Sequence, residues 1–99
     1  MLRHIVAWNH KEEFSEAQKK DNAGKVKKEL ESLADLISEV KELKVYINTL
    51  PTGNRDMILD SLFENEEALA AYQVHPEHKR VSALVGSVTQ DRACIDYIE

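Results

Sequence analysis

The 99-residue chain has little of what usually punctuates or staples a small fold: one cysteine (Cys94), two prolines and three glycines. A single cysteine excludes an intramolecular disulfide framework and a cysteine-rich zinc site. There is no glycine-rich phosphate loop, no nucleophile elbow and no CxxC pair. A basic excess is missing too, because 13 Lys+Arg stand against 18 Asp+Glu, a formal net charge of −5. That balance argues against nucleic acid and against an anionic membrane surface as partners. No apolar run approaches the ~20 residues that span a bilayer. The opening Leu2–Trp8 stretch is too short and interrupted for a signal peptide, and Lys11-Glu12-Glu13 follows it. The chain is expected to be soluble and cytoplasmic, with no cofactor and no metal.

With 42% hydrophobic and 31% charged residues, the chain is not intrinsically disordered. No repeat, linker or low-complexity segment divides it, so one domain over residues 1–99 is expected. A domain of this size buries only roughly two-thirds of the surface that its unfolded chain exposes. Its pocket is therefore small, or a second copy helps to build it.

Residues 2–8 have strand composition and are mostly apolar on both alternating faces, with Leu2, His4, Val6 and Trp8 sharing one of them. Ser15 and Gln18 have capping-box spacing, and Val26, Leu30, Leu33, Ala34 and Ile37 continue as a helical stripe. Leu43–Ile47 and Met57–Phe63 read as two further strands, separated by the loop signal Pro51-Thr52-Gly53-Asn54. Asn65 caps a helix that must stop near His75, because Pro76 disfavours helical geometry before it and opens a new helix after it. Val81, Leu84, Val85 and Val88 give that second piece an apolar face. Arg92–Ile98 closes the chain as a strand. The order β-α-β-β-α-β is the ferredoxin-like plan of an α+β fold, a four-stranded antiparallel sheet with helices on one face. The uncovered face would remain partly apolar, which predicts a homodimer with two sheets facing each other.

Four histidines are the main chemical content: His4, His10, His75 and His78. An isolated histidine on an apolar strand face, such as His4, reads first as a satisfied core residue. His10, at a strand end beside Lys11, is expected to be exposed. His75 fits as the cap of the helix that opens at Pro76, and Pro76 between His75 and His78 weakens their i,i+3 spacing as a metal pair. His78, one turn into that helix, is placed to face the sheet. Tyr72 closes the preceding helix, where it either packs on the sheet or joins His78 in proton transfer on a carbonyl. Asp60 and Asp96 interrupt apolar strands, so each needs a partner or a wet cavity. Cys94 and Trp8 are expected in the core.

Three stretches together carry a family resemblance: Leu2–Trp8, Phe63–His78 with its His75-Pro76-Glu77-His78 motif, and Ile95-Asp96-Tyr97. They resemble the stress-responsive dimeric α/β-barrel (Dabb) family across essentially the whole chain. That resemblance implies a ferredoxin-like protomer in a dimeric α/β barrel, most members having no assigned activity. One plant member is a polyketide cyclase working without cofactor or metal, and its catalytic histidine and tyrosine match His78 and Tyr72. Its first-strand pocket histidine matches His4, whereas its third-strand pocket histidine aligns with Met57. The implied functions are a homodimer with a cavity for a small apolar or aromatic molecule, or a cofactor-independent enzyme with His78 as base. Oxygenase chemistry of the kind found in sister families is a weaker option, by fold analogy alone.

Overall fold

The computed structural model describes residues 1–99. In chain order the elements are β1 (Leu2–His10), α1 (Glu16–Leu36), β2 (Glu42–Tyr46), β3 (Met57–Phe63), α2 (Glu66–Val74), α3 (Pro76–Val88) and β4 (Thr89–Ile98). The strands form one sheet in the order β2-β3-β1-β4, every neighbouring pair antiparallel. This is the expected ferredoxin-like α+β plan, with its second helix divided at Pro76 as the proline requires.

Local chemistry sets the helix starts. Ser15 and Gln18 form a reciprocal capping box: Gln18 N–H donates to Ser15 Oγ at 3.2 Å, and Ser15 N–H donates to Gln18 Oε1 at 2.8 Å. Ala68 N–H donates to Asn65 Oδ1 at 2.9 Å and starts α2. His75 caps α3 through its Nδ1, which accepts from Glu77 N–H at 3.1 Å. The third cap is an imidazole, as the sequence reading expected.

The helices cover one face of the sheet. Leu2, His4, Val6 and Trp8 of β1 and Met57, Leu59, Ser61 and Phe63 of β3 lie buried beneath them. From α1, Ala23, Val26, Leu30 and Leu33 join this core. Ala34 belongs to the stripe in sequence but is exposed, because only one helix face fits onto the sheet. On the opposite face no helix packs, and Tyr46, Ile95 and Tyr97 are all exposed.

Three local expectations need correction. β4 starts at Thr89 rather than Arg92, because Thr89 and Gln90 still pair with His10 and Asn9 beyond a register shift in β1. That irregularity leaves Asp91 in the left-handed region at φ 55°, a conformation that aspartate tolerates better than most residues. Cys94 is exposed rather than in the core, since β4 is an edge strand whose outer half the helices do not reach. His10 is half-buried rather than exposed, and its Nδ1 is sealed without a hydrogen-bond partner.

Candidate functional site

A cavity of about 270 Å³ opens between α3 and the β1–β4 side of the sheet. His4, Tyr72 and His78 all line it, so the fold brings together the three candidates that the sequence pointed to. Trp8 lines it as well, as a core residue only 7% exposed. Met57 does not line it. That side chain is fully buried in the core under the helices, so the position where the plant cyclase has a pocket histidine is filled with hydrocarbon here.

β1 sets His4 facing inward, opposite Ser61 of β3 and Asp96 of β4. Its Nδ1–H donates to the Asp96 carboxylate, which fixes the orientation of the ring. Asp96 thus has the partner its place in an apolar strand demanded, and Asp60 likewise pairs with Arg3 at 3.1 Å. The Cys94 thiol donates to the second Asp96 oxygen at 3.6 Å and lies 3.7 Å from His4 Nδ1. Burial raises the pKa of that thiol and the neighbouring Asp96 carboxylate adds to the effect, while Arg92 opposes it.

His78 is held by a different group. Its Nδ1–H donates to the Gln73 carbonyl oxygen at 3.1 Å, so Nε2 is the acceptor. Burial holds the His78 pKa below its ordinary 6.5, with His4 and Arg92 pushing the same way against the Gln73 bond. The ring is therefore a neutral base at pH 7. Tyr72 packs against it with the rings tilted, at a centroid distance of 4.5 Å, and against Phe63 at 4.9 Å. Burial pushes the Tyr72 hydroxyl up to a pKa of about 12, so it keeps its proton. That hydroxyl is fully buried and has no hydrogen-bond partner. Buried polar groups nearly always have one, so this hydroxyl stands out among the residues that line the cavity.

The i,i+3 histidine pair serves two separate tasks, since His75 caps α3 while His78 faces the cavity. A different donor set, His4, Cys94 and Asp96, brings its ligand atoms within 4.8 Å of one another. These groups already satisfy each other by hydrogen bonds, and Arg92 places a positive charge beside them. Arg92 is a cavity-lining residue that the sequence reading did not single out. Strand alternation could have found it, because Arg92, Cys94 and Asp96 share one face of β4.

A histidine base, a buried phenol donor and a second oriented imidazole line one small polar-edged cavity of a ferredoxin-like α+β scaffold. The Stress responsive A/B Barrel Domain (Dabb) pattern matches residues 2–99, and the chain belongs to that family. A dimeric protein of unknown function and ferredoxin-like fold from Bacteroides fragilis is 27% identical, with a TM-score of 0.89 over 97% of this chain and 93% of its own. A dimeric ferredoxin-like protein of unknown function from Thermobifida fusca is 25% identical, with a TM-score of 0.81 over 97% and 88%. A hydroxynitrile lyase from Passiflora edulis shares the fold at 17% identity, with a TM-score of 0.79 over 99% and 92%. No curated protein matches the chain in sequence. No helix is long and apolar enough to cross a membrane.

Proposed function

We propose that the protein is a cytoplasmic homodimer whose cavity takes a small, partly apolar carbonyl compound and moves a proton on it without a cofactor. The observation that carries this reading is the buried Tyr72 hydroxyl, left without a partner in the same cavity as the neutral His78. A cavity of about 270 Å³ is slightly smaller than the ~300 Å³ at which drug-sized sites begin, so a monocyclic ligand suits it. Tyr72 would donate to the carbonyl oxygen and stabilise the enolate that forms. His78 Nε2 would accept the α-proton, with neutral base and neutral acid both in their working forms at pH 7. His4, oriented by Asp96, adds a second imidazole to the same cavity. The hydroxynitrile lyase among the structural neighbours supports the use of this fold by enzymes.

Exchange of the α-protons of phenylacetone in D2O, followed by proton NMR, tests the reaction. Wild-type protein is expected to accelerate exchange over buffer, and His78→Ala to remove the acceleration. Equal rates for the two proteins would defeat the base role. Ligand binding without any exchange would leave the cavity a passive receptor for small apolar or aromatic molecules.

The homodimer is supported by the uncovered sheet face, on which Tyr46, Ile95 and Tyr97 are exposed beside half-buried Ile5 and Ile58. Apolar side chains grouped in this way mark an interaction surface. The dimeric relatives from Bacteroides fragilis and Thermobifida fusca point the same way. Light scattering is expected to give twice the 11.3 kDa chain mass, and a monomer at micromolar concentration would contradict it.

A further inference from the structure

The chain has four arginines, and three of them are occupied. Arg3 pairs with Glu42, Asp60 and Glu99, and Arg80 pairs with Glu77 and Glu29. Arg55 donates to the Asp91 and Asn54 carbonyl oxygens and to the Asn54 side chain. Arg92 has no carboxylate or carbonyl partner and only the Cys94 thiol beside it, although the chain carries five more negative than positive charges. It is also the arginine that lines the His78 cavity.

Its placement follows from the backbone. Asp91 sits in the left-handed region at the start of the regular β4 pairing, held there by Asn9 Nδ2 donating to its carboxylate at 3.2 Å and by Arg55 Nε donating to its carbonyl at 2.8 Å. Beyond this pinned residue β4 alternates regularly, so Arg92 falls on the same sheet face as Cys94 and Asp96. Its charge is felt inside the site, because it disfavours the protonated form of His78. A guanidinium presents a planar fork that matches a carboxylate, and it does so best where no other anion already holds it.

The geometry points to Arg92 as the anchor for a ligand carboxylate at the cavity mouth, so that the ligand class is a small oxo acid with an apolar or aromatic body. This assignment rests on the cavity being the ligand site, as proposed above. The carboxylate would sit at the exposed rim on Arg92, and the apolar body would fill the space lined by Val6, Leu59 and Val85. The α-carbon would then lie between the rim and the His78–Tyr72 pair. The ligand's negative charge would also be compatible with the neutral state of His78, since Arg92 offsets it.

Calorimetric titration of phenylpyruvate and of phenylacetone, which lacks the carboxylate, tests the assignment. Phenylpyruvate is expected to bind wild-type protein about tenfold more tightly, the scale of a charge-assisted bond at an exposed rim. Arg92→Ala is expected to close the gap between the two ligands, Arg92→Lys to keep part of it, and 0.5 M NaCl to narrow it. Arg92 is exposed, so its replacement leaves the core packing in place. Equal affinities in wild-type protein, no binding of phenylpyruvate, or a gap that survives Arg92→Ala would each overturn it. The readout is affinity and is separate from proton exchange, so a loss of the His78 base role and a loss of the Arg92 anchor give different results.

Discussion

The covered face of the sheet has two ends that are built in opposite ways. Beneath α1, the β2–β3 end is hydrocarbon: Val26, Leu33, Val45 and Met57 are all completely buried. Its few polar side chains serve the backbone, as when Val45 N–H donates to Glu31 Oε2 at 3.0 Å and Lys27 Nζ donates to the Val45 carbonyl at 2.6 Å. Beneath α3, the β1–β4 end carries His4, Arg92, Tyr72 and His78 around open space, with Asp96 bonded to His4 and to Cys94. One end is packed with buried apolar side chains, whereas the other leaves the Tyr72 hydroxyl and His78 Nε2 uncommitted. The contrast separates a packed end that holds the domain together from an end that keeps open space, within 99 residues.

The largest expected effect belongs to the closed end. Leu33→Ala removes a fully buried side chain from α1 and should destabilise the fold by about 3 kcal/mol in urea melts. A loss under ~1 kcal/mol would mean that this end is not tightly packed.

The open end should respond in the reverse sense. Tyr72→Phe removes a hydroxyl with no partner, so stability should hold or rise by up to ~1 kcal/mol, since an unsatisfied buried donor carries a desolvation penalty. The α-proton exchange rate should meanwhile fall about 100-fold, the scale for losing one preorganised donor. A variant that melts early yet exchanges normally would assign Tyr72 to the closed end instead.

The smallest effect is a pH dependence. Because burial holds the His78 pKa below 6.5 in the folded protein, its neutral form predominates at pH 7 and is lost at lower pH. Exchange should therefore rise with pH through a midpoint below 6.5, then stay level. The sign for stability is the same: the contribution of a neutral, half-buried His78 is present above the unfolded value of ~6.5 and is lost as pH falls through the lowered folded one. A midpoint above 6.5, or a limb that persists in His78→Ala, would contradict the burial of this ring.

Most of the scaffold was legible in the residues. Ser15 with Gln18, Asn65, and His75 before Pro76 each announced a helix start, because caps depend on contacts within four residues. Strand alternation likewise predicted that Leu2, Val6 and Trp8 would be buried together. Cys94 was misread, since its apolar neighbours look like core until β4 turns out to be an edge strand. The resemblance through His4, Tyr72 and His78 pointed to side chains that line one cavity, without showing what fixes each of them.

By itself the sequence determined the order of elements, the break at Pro76 and the identity of the family, all of which are local patterns or their sum along the chain. Only the tertiary structure decided that Asp96 holds His4, that the Gln73 carbonyl holds His78, that Tyr72 is left unpaired and that Met57 is sealed away. The physical reason is distance along the chain. His4 and Asp96 are 92 residues apart and meet only because β4 closes the sheet against β1, and no short-range pattern encodes which of two neighbouring polar groups will find a partner.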